Sequence, residues 1–119
     1  MTDRTPYWTL DDDGNPQPCD DVLEWGLWFE KNLHNRHVSE DMDEGEGAEQ
    51  VRVSTVFLAL DHSWHDGPPI LYETLVFGGV LDGEMARYST RQDAAIGHQV
   101  MCQRVREAQK LGRRDDDGT

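Results

Sequence analysis

Cysteine is scarce in this chain. Cys19 and Cys102 stand alone and far apart, in no CxxC pair, which removes a disulfide framework, a zinc ribbon and a dithiol redox centre. Both are expected as free thiols packed inside the fold. Basic residues are scarce too: 11 Lys and Arg face 24 Asp and Glu, for a formal net charge of −13. Phosphate backbones and anionic membranes repel such a chain, so neither nucleic acid nor membrane is expected as a direct partner. No apolar run nears the ~18 residues of a membrane span, and the opening MTDRTPYWTL has no signal-like apolar stretch. A cytoplasmic setting is the expectation. Phosphate-binding loops are missing as well. No GxGxxG or GxxxxGKS/T occurs, and Gly78, Gly79 and Gly83 lead into a strand rather than a helix.

What the chain does have is local concentration. Apolar residues make up only 36%, but they gather at about 22–33, 51–81 and 94–111, and four tryptophans add large area per residue. Clustering of that kind makes a thin packed core, where an even scatter would leave the chain disordered. A length of 119 residues suits one domain, placed at 1–112, with 113–119 as a disordered tail. Charge is clustered too. Residues 1–49 hold 14 acids and 3 bases, residues 50–114 hold 7 acids and 8 bases, and Asp115, Asp116 and Asp117 follow.

Tyr7–Leu10 reads as a short strand ended by Asp11-Asp12-Asp13-Gly14-Asn15-Pro16, a dense turn signal. Asp21 caps a helix, with Glu24 in capping-box position. Val22, Trp25, Phe29 and Leu33 make its stripe, widened by Leu23, Leu27 and Trp28. Gly26, which costs ~1 kcal/mol against alanine in mid-helix, implies a close approach by a neighbouring element. From about 39 to 50 the chain is acidic and contains glycine, and a mobile loop is expected. Val51–Leu60, Ile70–Phe77 and Met85–Tyr88 read as strands from their β-branched and aromatic content, the last two joined by a tight Asp82-Gly83 hairpin. Ser89 or Thr90 starts a final helix to about Leu111, with Ala94, His98, Met101, Val105 and Ala108 on its buried face and Gly112 as its stop. The expected fold is α+β in the order β-α-β-β-β-α, a small antiparallel sheet with two helices packed on one face.

Candidate chemistry falls into a few groups. Asp61, His62, His65 and Asp66 put two imidazoles and two carboxylates into one turn, residue types that collect a divalent metal. His-x-x-His on a loop lacks the i, i+4 helical spacing of zinc motifs, and only Glu73 offers itself as a further ligand. A polar hairpin tip is therefore the expected reading, with a metal-binding module or metal-dependent hydrolase as the alternative. His34 and His37 follow the first helix, where a cation complements the helix dipole. His98 lies on an apolar helix face with no nucleophile in a recognisable setting, which makes it a packed, hydrogen-bonded core histidine. Asp11, Asp13 and Asn15, and again Asp41 and Asp43, imitate the start of an EF-hand loop, but neither run has Gly at position six or Glu at position twelve. No catalytic residue and no cofactor is assigned. The last group is acidic: Asp11, Asp12 and Asp13, with Glu40, Asp41, Asp43, Glu44, Glu46 and Glu49. It reads either as a solvated surface or as a negative field aimed at a basic protein surface. Steering by such a field raises association rates by ~10- to 10³-fold at low salt.

A resemblance adds a setting. Val53-Ser54-Thr55-Val56-Phe57-Leu58, Leu60-Asp61-His62, Gly67-Pro68-Pro69, Tyr72-Glu73-Thr74 and Val76-Phe77-Gly78-Gly79 resemble runs in small proteins encoded by bacteriophages and prophages. The likeness continues through Leu81-Asp82, Glu84, Arg87-Tyr88-Ser89-Thr90 and Gly97-His98, and includes Tyr7-Trp8 and Leu23-Glu24-Trp25. It spans most of 7–105 and leaves out the acidic stretch. The resemblance implies a phage setting, hence the cytoplasm of a bacterial host, and implies no activity. With no assembled chemistry in view, the expectation is a non-enzymatic interaction protein. Its most concrete form is an inhibitor of a bacterial defence system, anti-CRISPR-like, that offers a nucleic-acid mimic to a basic groove. A phage morphogenesis or regulatory accessory protein is a further alternative.

Overall fold

A computed structural model of the protein describes residues 5–43, 50–63 and 67–117. In chain order the elements are β1 (Trp8–Leu10), β2 (Pro16–Pro18), α1 (Val22–Lys31), β3 (His37–Asp43), β4 (Val51–Phe57), β5 (Tyr72–Phe77), β6 (Met85–Tyr88) and α2 (Arg91–Asp117). The β-branched run of β4 becomes the centre of a four-stranded antiparallel sheet of order β3-β4-β5-β6, while β1 and β2 form a separate hairpin. The class is α+β, as the sequence predicts.

Register decides what the sheet covers. Phe57 lies opposite Tyr72, Thr55 opposite Thr74 and Val53 opposite Val76, so with alternating side chains these six share one face. Helix α2 lies along it. Val51, Val53, Val76, Met101, Cys102 and Val105 make one buried cluster. Phe57, Ala59, Leu71, Tyr72 and Ala94 make another, against which Trp8, Trp25, Trp28 and Phe29 pack. Helix α1 reaches this second cluster: Trp28 meets Phe57 edge-on with ring centroids 6.0 Å apart. Its Trp25 indole N–H donates to the carbonyls of Trp8 at 3.1 Å and Ala59 at 3.0 Å. Both helices thus meet the same sheet face, α2 along its length and α1 at the Phe57–Tyr72 end.

Several sequence expectations change. The loop expected at about 39–50 begins with strand: β3 runs to Asp43 and pairs Glu40 with Ser54 and Asp41 with Val53. An edge strand carries charge without penalty because its outer side meets solvent. Residues 44–49 of that stretch lie outside the described residues. The proline-rich β2 also pairs, Trp8 opposite Pro18, in a two-stranded ribbon where a missing N–H costs nothing on the free edge. Helix α2 passes through Gly112 to Asp117, so 113–117 is helix rather than tail; glycine weakens a helix but does not by itself end one.

Helix α1 turns Trp25, Trp28 and Phe29 inward and leaves Val22, Leu23 and Leu27 exposed, and Leu33, beyond its end, is exposed as well, a narrower stripe than the apolar residues suggest. Gly26 has no neighbour within 4 Å of where a Cβ would sit, whereas at Gly97 that Cβ would lie 2.2 Å from the Tyr88 ring. The close approach that a helical glycine permits is therefore in α2. The β5–β6 connection spans 78–84, closed by Asp82 Oδ1 accepting from the Gly78 N–H at 2.7 Å, and is not a two-residue hairpin. His37 opens β3 instead of following a helix end, and Lys31 is the base in the last turn of α1.

Candidate functional site

The helical period of α2 turns Ala94, His98, Met101, Cys102 and Val105 toward the sheet, all of them buried, and His98 is fully so. A buried imidazole needs partners for both nitrogens. It finds them on two strands. Thr55 Oγ1 of β4 lies 2.7 Å from Nδ1, and Asp41 Oδ1 of β3 lies 2.7 Å from Nε2. The expectation of a packed, hydrogen-bonded core histidine holds, and the partners are now identified. Thr55 Oγ1 in turn lies 2.5 Å from Thr74 Oγ1, to which the Tyr88 hydroxyl donates at 3.2 Å. Each hydroxyl both donates and accepts. A run from Tyr88 to Thr74 to Thr55 to Nδ1 therefore satisfies every group if the imidazole proton sits on Nε2 and is donated to Asp41.

Cys102 stands one helical turn beyond His98, so the two side chains emerge on the same face. Ligating atoms of Asp41, His98 and Cys102 lie within 4.8 Å of one another. Burial pushes the Cys102 thiol above its ordinary value, Asp41 pushes it the same way, and Arg106 opposes both. Asp41, exposed on the edge strand, opens the group to solvent, since its side chain keeps 57% of its accessibility while His98 keeps none.

Thr55, His98 and Asp41 follow the hydroxyl–imidazole–carboxylate order of a hydrolytic triad. Thr55 is fully buried under α2, however, and its hydroxyl is already engaged by Thr74. A substrate carbonyl has no approach to it. The arrangement orders the core and leaves one carboxylate, one imidazole nitrogen and one thiol facing each other at its solvent side.

The described acids singled out in the sequence fall into two places. Asp11 builds its own turn, its Oδ1 accepting from the N–H groups of Asp13 at 2.9 Å and Asn15 at 2.8 Å. Asp12 and Asp13 are exposed on that turn. The turn lies beside the start of α2, where Arg91 Nη1 comes 2.9 Å from the position of a Gly14 Cβ. Glu40, exposed, faces Arg52 at 3.6 Å and His37 at 3.8 Å. Asp43 pairs with Val51, at the end of β4 that packs against Val105. The turn thus lies near the start of α2, while Glu40 stands at mid-strand opposite Ser54 and Asp43 at the far end of β4 opposite Val51. Glu44, Glu46 and Glu49 lie outside the described residues.

Of the histidine turn, Asp61 and His62 are described. Asp61 Oδ1 accepts from the N–H groups of Ser63 at 2.8 Å and Ile70 at 3.0 Å, shaping the loop, and the His62 N–H donates to the Ile70 carbonyl at 3.0 Å. Glu73 is drawn to Arg87, 3.0 Å away, on the sheet face opposite α2. His65 and Asp66 lie outside the described residues. Among the described residues no helix is long and apolar enough to cross a membrane. A shallow groove of about 410 Å³ runs beside α2, lined by Leu81, Val100, Gln103, Arg104 and Leu111 among others. It is mainly apolar and holds no cluster of reactive groups.

Sequence reasoning missed the Asp41–His98–Cys102 grouping. Half of it was legible, since His98 and Cys102 have the i, i+4 spacing that joins two ligands on one helix. Nothing local marks Asp41 as their neighbour. No family model, curated protein or solved structure matches this chain. Fold and site together define an acidic two-helix α+β domain with a buried polar spine.

Proposed function

We propose that this chain works by binding, presenting negative charge to a basic protein surface. In the phage setting that the sequence resemblance suggests, that surface is the nucleic-acid-binding groove of a host defence complex. The reading rests on the excess of acid over base in the first half of the chain. There, 14 acids meet 3 bases, and Asp12, Asp13, Asp20, Asp21 and Glu40 are exposed. Of those bases, Arg36 is spent on the interior: its Nε donates to the Phe57 carbonyl at 3.0 Å and its guanidinium lies 4.4 Å over the Phe29 ring. A low-dielectric body with acids outward and few neighbouring cations projects a field that reaches about a Debye length, ~8 Å at physiological salt.

Asp11 is occupied by its turn, Asp41 by His98 and Glu40 by Arg52, which narrows the contact acids to Asp12, Asp13 and Asp43, with Glu44, Glu46 and Glu49. Affinity capture from a bacterial host lysate tests this, using the wild type and two charge reversals. One reversal is Asp12→Lys with Asp13→Lys; the other is Asp43→Lys with Glu44→Lys, Glu46→Lys and Glu49→Lys. The expected result is a nucleic-acid-binding protein that is retained by the wild type, displaced by nucleic acid or high salt, and lost by at least one reversal. Retention by both reversals would remove the acidic surface as the contact. Capture of a phage structural or replication protein instead would favour the accessory role.

A further inference from the structure

We infer that Asp41, His98 and Cys102 form a three-ligand site for a zinc ion, with the fourth position open to solvent. The inference is independent of the binding role above and concerns residues that role does not use.

The donor set comes first. One carboxylate oxygen, one imidazole nitrogen and one thiolate are the three ligand types that Zn²⁺ accepts, and three protein ligands with one open position is a recurring zinc arrangement. The mixture of a soft sulfur with borderline nitrogen and hard oxygen disfavours Ca²⁺ and Mg²⁺, which take oxygen alone. Placement comes next. The ligand atoms already lie within 4.8 Å of one another. Around zinc at ~2.0–2.3 Å bond lengths, tetrahedral angles put ligand atoms roughly 3.3–3.7 Å apart. The His98–Asp41 contact at 2.7 Å must open slightly and the thiol must close in. Rotation of Asp41, an exposed side chain on an edge strand, supplies that adjustment.

The surroundings are those of a metal-bound histidine. Such a residue donates its second ring N–H to a neighbouring oxygen, which fixes its orientation, and Thr55 Oγ1 stands 2.7 Å from Nδ1. The hydroxyl run is reversible. With Nε2 on the metal, the imidazole proton sits on Nδ1 and is donated to Thr55, Thr55 donates to Thr74, and Thr74 to Tyr88, whose ring is only half-buried. Charge balances as well. Zn²⁺ replaces the thiol proton, one H⁺ leaves to solvent, and the dication meets the negative charges of one thiolate and one carboxylate. The exposed Asp41 side gives the ion an entry path, while His98 and Cys102 hold the inner side dry.

Co²⁺ titration of the full chain, free of any polyhistidine tag and reduced, tests the site. The expected result is one Co²⁺ per chain, with visible bands of tetrahedral intensity and a thiolate-to-cobalt charge-transfer band, both displaced by Zn²⁺. Cys102→Ser, a near-isosteric change, should abolish the charge-transfer band and weaken Zn²⁺ binding by more than ~10-fold. Thr55→Val should weaken it by ~10- to 100-fold, as loss of an outer partner does. Asp41→Asn supplies a surface variant that leaves the core intact, and it too should weaken binding. A cobalt spectrum with no thiolate band, or equal Zn²⁺ affinity in wild type and Cys102→Ser, overturns the site. Binding that survives Cys102→Ser but disappears in His62→Gln with His65→Gln overturns it as well, and moves the metal to the turn.

Discussion

Polar atoms in this core meet burial in two ways. His98 is satisfied on both nitrogens, whereas the equally buried Tyr72 hydroxyl has no hydrogen-bond partner among the described residues. An unpaired buried hydroxyl costs ~1–3 kcal/mol of desolvation, so Tyr72→Phe should leave neutral-pH stability unchanged or raise it, read as the midpoint of denaturant unfolding. Burial also pushes the Tyr72 phenol above its ordinary value, with Arg91 opposing in smaller measure. The folded state then holds this proton more tightly than the unfolded chain. Its contribution is complete below the ordinary tyrosine range and is lost as pH rises through the folded value. Wild-type stability should therefore fall in the alkaline range, and Tyr72→Phe should flatten part of that fall. Gly97 makes the opposite kind of demand. A helical Gly→Ala exchange ordinarily gains ~1 kcal/mol, but here the new Cβ would enter the Tyr88 ring. Gly97→Ala should instead lose roughly 1–3 kcal/mol, the usual cost of overpacking, visible as a lower melting temperature. A higher one would show that Tyr88 moves freely.

Elements were legible where local chemistry and tertiary role agree. β6 was found at its residues Met85–Tyr88, and the helix starts were marked by caps that the structure uses. Asp21 accepts from the N–H groups of Leu23 at 2.9 Å and Glu24 at 3.3 Å, and Thr90 from that of Asp93 at 3.0 Å. Asp21→Ala should cost about 1 kcal/mol, measured by chemical denaturation. β3 was illegible for a physical reason. His37-Val38-Ser39-Glu40-Asp41-Met42-Asp43 lacks apolar alternation, and its strand state comes from the ladder that β4 offers. Amide hydrogen exchange separates this from a loop: peptides covering 37–43 should be protected well above the rate of an unstructured segment. Exchange at that free rate would remove β3 from the sheet.

At the scale of the whole molecule, a net charge of −13 repels itself more in the compact state than in the expanded one. Screening by salt relieves that repulsion, so the unfolding midpoint should rise from low to moderate ionic strength. A fall would mean that attractive pairs such as Glu73–Arg87 and Glu84–Arg104 outweigh the net field. The same field is what the proposed partner meets, so salt should strengthen the fold while weakening the complex.

Composition, caps and periodicity by themselves determined the α+β class, both helix starts, the central strands, the core role of His98 and the uneven charge, because each depends on residues near one another in sequence. Only the tertiary structure decided that an acidic stretch becomes an edge strand. It also separated the acids of the β1–β2 turn from those of β3, and brought Asp41 to His98 and Cys102. Those outcomes depend on sheet register and helix placement, which no short run of residues encodes.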